Sequence, residues 1–164
     1  MVDNKMDILR SKPWKALNRL YQCRQTLTPD FSCNHFMSVT EQWMSVFASL
    51  LIGAYWQSLG MQVIPTAIWS SVLGAELFSQ GIEHRSVFAV STMGTRMNRE
   101  IFIEGLRVIC NRIQPDAVLC YCKPYPEMHH LAKLICIEHE GSRARCLSGS
   151  RQNPNQISLV EDFN

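Results

Sequence analysis

Gln62-Val63-Ile64-Pro65-Thr66-Ala67-Ile68-Trp69-Ser70-Ser71, residues 62–71, begins like a buried strand and does not end like one. From Gln62 to Ile68 it is nearly all apolar, as in a buried strand. Pro65 interrupts it with a residue that has no N–H to give to a ladder, so the segment fits an edge position or a bulge. The run then ends in an aromatic and two hydroxyls. A strand that buries its body and finishes in Trp69, Ser70 and Ser71 delivers polar groups to a rim, with a bulge at Pro65 re-aiming Thr66 toward it.

The flanking sequence alternates strand and helix. Upstream, Ser38-Val39-Thr40-Glu41 has the S-x-x-E form of a capping box. The helix it opens carries Val39, Trp43, Phe47, Leu50 and Ala54 at steps of 4, 4, 3 and 4, one apolar face widened by Met44, Leu51 and Tyr55. Gly60 supplies a left-handed stop. Downstream, Ser70 or Ser71 caps a short helix over 72–80 that Gly81 closes, and SVFAVST (86–92) reads as the next strand. Asn98 caps a helix over 99–113 with Phe102, Leu106, Ile109 and Ile113 as its buried stripe, and Pro115 stops it. AVLCYC (117–122) is an uncharged strand, 25–31 a short extended run, 131–139 a last strand or short helix, and 7–22 an N-terminal helix.

Strands alternating with helices of this length imply βαβ units. The expected fold is α/β, a single compact domain over residues 1–140 with a mainly parallel sheet of four to five strands and flanking helices, compatible with a trimmed barrel-like plan. Residues 141–164 read as a polar C-terminal tail.

Composition narrows the class. At 164 residues and 46% hydrophobic, the chain can bury a core, and its longest apolar run, Val46 to Trp56, is too short to cross a bilayer. Seven cysteines at irregular spacing, with no export signal, read as free thiols in a cytoplasmic protein. Net charge is only +2, but Lys5, Arg10, Lys12, Lys15, Arg19 and Arg24 make residues 1–25 a basic, helical segment.

In parallel α/β folds ligands sit beyond the carboxyl ends of the strands. Those ends here offer Asp30; Thr66 and Trp69; Ser91, Thr92 and Arg96; and Tyr121, Lys123 and Glu127. Asp30 and Lys123 are the candidate catalytic pair, an acid or base with an anion stabiliser; the other seven are candidate ligand-binding residues. STMGTR (91–96) puts hydroxyls and a glycine ahead of a helix but matches neither G-x-G-x-x-G nor a P-loop, and no G-x-S-x-G elbow is present. Cys33 with His35, Cys120 with Cys122, and His129 with His130 are metal-capable, yet no C-x-x-C or H-E-x-x-H accompanies them, so no metal site is expected. No particular cofactor is indicated.

LTPDFS (27–32), IGAYWQSLGMQVIPTAIWS (52–70), VFAVSTMG (87–94) and YCKPYPEM (121–128) together resemble a family carried by phages, plasmids and integrative elements and known only as a domain of unknown function. The resemblance spans roughly residues 27–128 and implies a mobile-element protein inside a bacterial host cell. Two departures stand out. The family's N-terminal aromatic-acidic stretch has only the segment around Trp14 as a remnant, and a glycine usually stands where this chain has Cys122.

The first expectation is therefore an accessory binding module for a nucleic acid, a nucleotide-like ligand or a host protein. The alternative is a hydrolase or transferase working at the strand-end rim. A third reading is an interaction protein or homo-oligomer that uses Trp43, Tyr55 and Trp56 of the long helix.

Overall fold

A computed structural model describes residues 4–23, 25–34 and 36–137. Five short strands, β1 (Gln25–Leu27), β2 (Gln62–Ile64), β3 (Phe88–Ser91), β4 (Val118–Tyr121) and β5 (Leu134–Ile137), alternate with helical connections. β1 pairs with β2, and β3, β4 and β5 form a second sheet in that order, every pairing parallel. The α/β class and the parallel pairing are as expected.

The single sheet of four to five strands is not. Two sheets of two and three strands meet at one parallel bridge, Thr66 with Ala89, in which Ala67 N–H donates to the Ala89 carbonyl and Ala89 N–H to the Pro65 carbonyl, each at 2.8 Å. Pro65 is the physical reason. Extending the ladder toward Val87 would require a donor from residue 65, and proline has none. On the other side the N–H of Thr66 is already taken by Thr28 Oγ1 at 2.8 Å.

The strands lie in chain order without the reversal of a doubly wound sheet. Two short N-terminal helices, α1 (Asn4–Ser11) and α2 (Leu17–Leu20), precede them. The single helix expected over 7–22 is broken by a 3-10 turn at Pro13–Ala16, since proline would clash with the carbonyl four residues back. Arg10 places its guanidinium 4.6 Å above the Phe31 ring, and Trp56 Nε1 donates to the Pro13 carbonyl at 3.3 Å, which docks this segment on the body. The expected tail, 141–164, lies outside the described residues.

Three long connections, α3 (Val39–Ser58), α4 (Val72–Gln80) and α5 (Arg99–Ile113), pack α3 on α4 and α4 on α5. The capping box of α3 forms as expected, Ser38 N–H donating to Glu41 Oε2 at 2.7 Å and Glu41 N–H to Ser38 Oγ at 3.3 Å, and Gly60 follows at φ +84°. Ser71 caps α4 through Gly74 N–H at 3.2 Å. Asn98 makes no side-chain cap to α5, whose C-terminal residue Gln114 adopts the left-handed conformation. The stripe Phe102, Leu106, Ile109 and Ile113 is buried, and Phe78 of α4 meets Phe88 of β3 edge-on at 5.9 Å.

α3 holds the main surprise. Its buried residues are Gln42, Ser45, Val46, Ser49, Ile52, Gly53 and Trp56, while Val39, Trp43, Met44, Phe47 and Leu51 face outward. The small polar face is buried because it satisfies carbonyls of the segment that leads from β1 into α3. Ser45 Oγ donates to Ser32 O (3.2 Å), Ser49 Oγ to Pro29 O (2.7 Å), and Gln42 Nε2 to Met37 O (3.0 Å). At Gly53 a Cβ would lie 2.5 Å from the Thr28 methyl, so only glycine lets β1's extension come this close.

Candidate functional site

The strand ends carry two groups of polar residues. In the first, beyond β1 and β2, Thr28 and Thr66 are buried and already matched: Thr66 Oγ1 donates to the Thr28 carbonyl at 2.9 Å, and the Thr28 hydroxyl stands 2.9 Å from that of Ser49, whose own hydrogen goes to Pro29 O. These hydroxyls hold β1, β2 and α3 together. Two residues on, Asp30 has no hydrogen bond or ion pair among the described residues, and desolvation raises its pKa above the ordinary 3.8. The residue as a whole faces solvent, which screens part of the effect. Cys33 lies near enough for Asp30 to repel its thiolate. Desolvation is the larger reason its pKa is raised, and its hydrogen bonding to Ser70, with Sγ 3.5 Å from Ser70 Oγ, pulls the other way.

A raised carboxyl pKa means that the folded chain binds the Asp30 proton more tightly than the unfolded chain does. Its favourable contribution is complete below the unfolded value near 3.8 and is lost as pH rises through the higher folded value. Asp30→Asn should therefore leave stability at about pH 3 nearly unchanged and raise it relative to the parent at about pH 7. Urea melts at the two values check this, and an equal shift at both would remove the desolvated carboxylate from the account.

The second group lies beyond β3 and β4. Thr92 is buried; its N–H donates to Tyr121 O at 3.2 Å and its Oγ1 to Lys123 O at 3.0 Å. Thr95 Oγ1 donates to Thr92 O at 2.9 Å and stands 2.9 Å from the Tyr125 hydroxyl. Ser91 Oγ accepts from Met93 N–H at 3.1 Å. These bonds tie the loops after β3 and β4 into one unit, with Gly94 turning the first at φ +76°. Glu127 is bound to Arg99, 2.5 Å from Nη2 at Oε2, and the hydrogen bond from Arg99 is the main cause holding its carboxyl below the usual range. Arg99 also stacks over the Tyr125 ring at 4.6 Å. Tyr121 is half-buried, and desolvation raises its pKa. Arg96 and Lys123 are exposed and have no acidic partner among the described residues.

A row of rings links the two groups. Trp69 stacks on Phe102 (5.0 Å, 18°), and Phe102 meets Tyr125 edge-on (5.9 Å, 73°). The Trp69 Nε1–H is buried with no acceptor among the described residues. The rim thus brings Lys123, Arg96, Thr92 and Tyr121 into one loop cluster and places Asp30 in the other. Arg99, which no motif marked, fixes both Glu127 and Tyr125. Its partner lies 28 residues away in sequence, a separation that no periodicity encodes.

The described cysteines do not form a centre. Cys120 is pushed up to about 12 by burial first and by Cys136 and Cys122 second, and Cys110 to about 11 by burial, so both are neutral thiols. Among the described residues no group of three or more His, Cys, Asp or Glu is placed to hold a metal. Cys122 does not share a strand face with Cys120, because β4 ends at Tyr121 and Cys122 turns to φ +69°. That is the left-handed region, and glycine takes it without strain. Cys122→Gly should raise stability by about 0.5–1 kcal/mol in thermal or urea melts. A fall in stability would show that the thiol's packing outweighs the backbone strain. Away from the rim, a shallow groove of 390 Å³ runs between α4 and α5, lined by Glu76, Ser79, Gln80, Val108, Asn111 and Arg112.

Residues 1–139 match the family model described as the domain of unknown function DUF4417. The chain belongs to this family. It is 38% identical over 122 residues to the Gene 1 protein of Mycobacterium phage L5, covering 73% of this chain and 53% of that protein. To the Gene 1 protein of Mycobacterium phage D29 it is 34% identical, covering 73% and 45% respectively. The chain therefore spans about half the length of these curated relatives. Both are phage proteins, in keeping with the mobile-element resemblance of the sequence blocks. No solved structure matches the chain. Among the described residues no helix is long and apolar enough to cross a membrane.

Proposed function

We propose that this DUF4417 chain is a binding module of a mobile element, acting in the host cytoplasm, that takes an anionic ligand of nucleotide or nucleic-acid type at the strand-end rim. The observation that supports this reading is the state of its charges. Arg99 is neutralised by Glu127, whereas Arg96 and Lys123 stand exposed without acidic partners among the described residues, on loops that hydrogen bonds hold in place. Unpaired cations on an ordered loop suit a phosphate, and the half-buried Tyr121 beside them offers a ring edge. Exposed Lys12, Lys15 and Arg19 on the N-terminal segment add positive field near the body.

The test is fluorescence polarisation with a labelled single-stranded oligonucleotide over a salt series. Affinity should fall steeply with salt, and Arg96→Ala with Lys123→Ala should reduce the log–log slope by about 1.4, near 0.7 for each phosphate no longer neutralised. Salt-independent binding, or a slope the double variant leaves unchanged, would overturn the reading.

The raised carboxyl pKa of Asp30 favours a second reading, hydrolysis or group transfer with Asp30 as general base or acid and Lys123, in the other loop cluster, holding an anionic part of the same substrate. Prolonged incubation with the oligonucleotide, read by mass spectrometry, tests it. Cleavage that Asp30→Asn abolishes while the circular dichroism spectrum is retained would favour the enzyme; an intact substrate would remove it.

A further inference from the structure

The outward face of α3 is apolar where a surface helix is ordinarily charged. Val39, Trp43, Met44, Phe47 and Leu51 are 53%, 46%, 49%, 47% and 56% exposed, and Trp43 and Phe47 stack on each other at 5.7 Å. Glu41 is the one charged residue among the helix's 20, and its carboxylate is occupied by the Ser38 cap. Leu73, also exposed, stands at the start of α4, which the hydrogen bond from Ser71 Oγ to Gln42 Oε1 (2.9 Å) ties to α3.

We infer that this face pairs with the same face of a second copy of the chain, making an isologous dimer through α3. Charge argues for that occupant. The stripe presents no cation for nucleic acid and no charge pattern for a complementary charged partner, whereas self-pairing of a neutral face brings no like charges together. Area argues for it as well. Half-exposed side chains of this size leave on the order of 100 Å² each, so two such stripes would remove about 1,000 Å² in total, the threshold for a specific interface. Geometry is suitable too. Val39, Trp43, Phe47 and Leu51 form an i, i+4 ridge, and two identical ridges of that kind interdigitate at a crossing angle of about −50°. Trp43 and Phe47 occupy the middle of the ridge, so each copy's stacked pair meets the other's at the two-fold axis.

The rim and this face share no residue, so dimerisation and ligand binding are tested by different variants. Sedimentation velocity of the full chain from low to high micromolar concentration tests it. The expected result is a concentration-dependent dimer. Phe47→Glu places two carboxylates at the axis and should weaken association roughly a hundredfold, as removal of a central aromatic anchor does. Met97→Glu, at a side chain 96% exposed on another element, should leave the dimer unchanged. Since Phe47 is half-exposed, the circular dichroism spectrum of the Phe47→Glu chain should match the parent, as should its urea midpoint at a concentration where both chains are monomers. A strict monomer across the range overturns the inference, as does a dimer that Phe47→Glu leaves intact.

Discussion

Thr28→Val is expected to lower the unfolding free energy by about 2–3 kcal/mol while hardly changing side-chain volume. Thr28 Oγ1 accepts the N–H of Thr66 at 2.8 Å and shares a hydrogen bond with the Ser49 hydroxyl at 2.9 Å, all within the buried interior. Valine fills the same space but offers no acceptor, so the Thr66 N–H becomes an orphan at the place where Pro65 has already reduced the sheet to one bridge. Thr28→Ser separates the two roles of the side chain. It keeps the oxygen and removes only the methyl packed on Gly53, which should cost about 0.8 kcal/mol for the apolar group. Urea denaturation of the three chains gives the order parent, serine, valine. If valine were as stable as the parent, the stitch would contribute nothing and packing alone would hold β1 against β2. Asp30 follows two residues after Thr28, so the valine chain should also show altered titration at the rim.

The same stitch explains why α5 is legible in the sequence and α3 only half so. On α5 the buried side is Phe102, Leu106, Ile109 and Ile113, while Arg99, Glu104, Arg107 and Arg112 stay in water, so apolar periodicity and core coincide. On α3 the cap, the length and the Gly60 stop follow from local chemistry. The burial does not, because Ser45, Ser49 and Gln42 go inside to meet carbonyls that belong to residues 29–37. Hydrophobicity along one helix carries no information about unpaired carbonyls on another segment. Thus Trp43 and Phe47 lie outside and Trp56 inside, although all three read alike. Pro65 shows a similar limit. Its missing donor is plain in the sequence, but that the gap falls on the side facing β3, and splits the sheet, depends on register.

The rim divides in the same way. The alternation of strand and helix fixes where the strands end, but exposure and charge pairing at those ends are long-range properties. Thr66 and Thr92 are spent on structural hydrogen bonds, and Glu127 on Arg99. What the fold leaves available of the rim is Asp30, Arg96, Lys123 and the half-buried Tyr121.

The second large effect is expected at Gly105, where α5 passes under the Trp69 indole. A Cβ there would lie 2.2 Å from Nε1, 2.6 Å from Cδ1 and 2.9 Å from Cε2 of Trp69, distances that real side chains do not tolerate. The ring is also held by stacking on Phe102 at 5.0 Å, which limits its retreat. Gly105→Ala gains about 1 kcal/mol of helix propensity. Against that stands an overpacking cost of about 3 kcal/mol, so the net change should be a destabilisation of about 2 kcal/mol. A double-mutant cycle isolates the cause. In a Trp69→Leu background the clash is relieved, and Gly105→Ala should become neutral or stabilising by up to about 1 kcal/mol. If Gly105→Ala costs the same in both backgrounds, the indole is not what selects glycine. Displacing Trp69 also disturbs Phe102 and, through it, Tyr125 and the loop that carries Lys123. A Gly105→Ala chain that stays folded should therefore bind the oligonucleotide more weakly without a change in salt slope, since no cation has been removed.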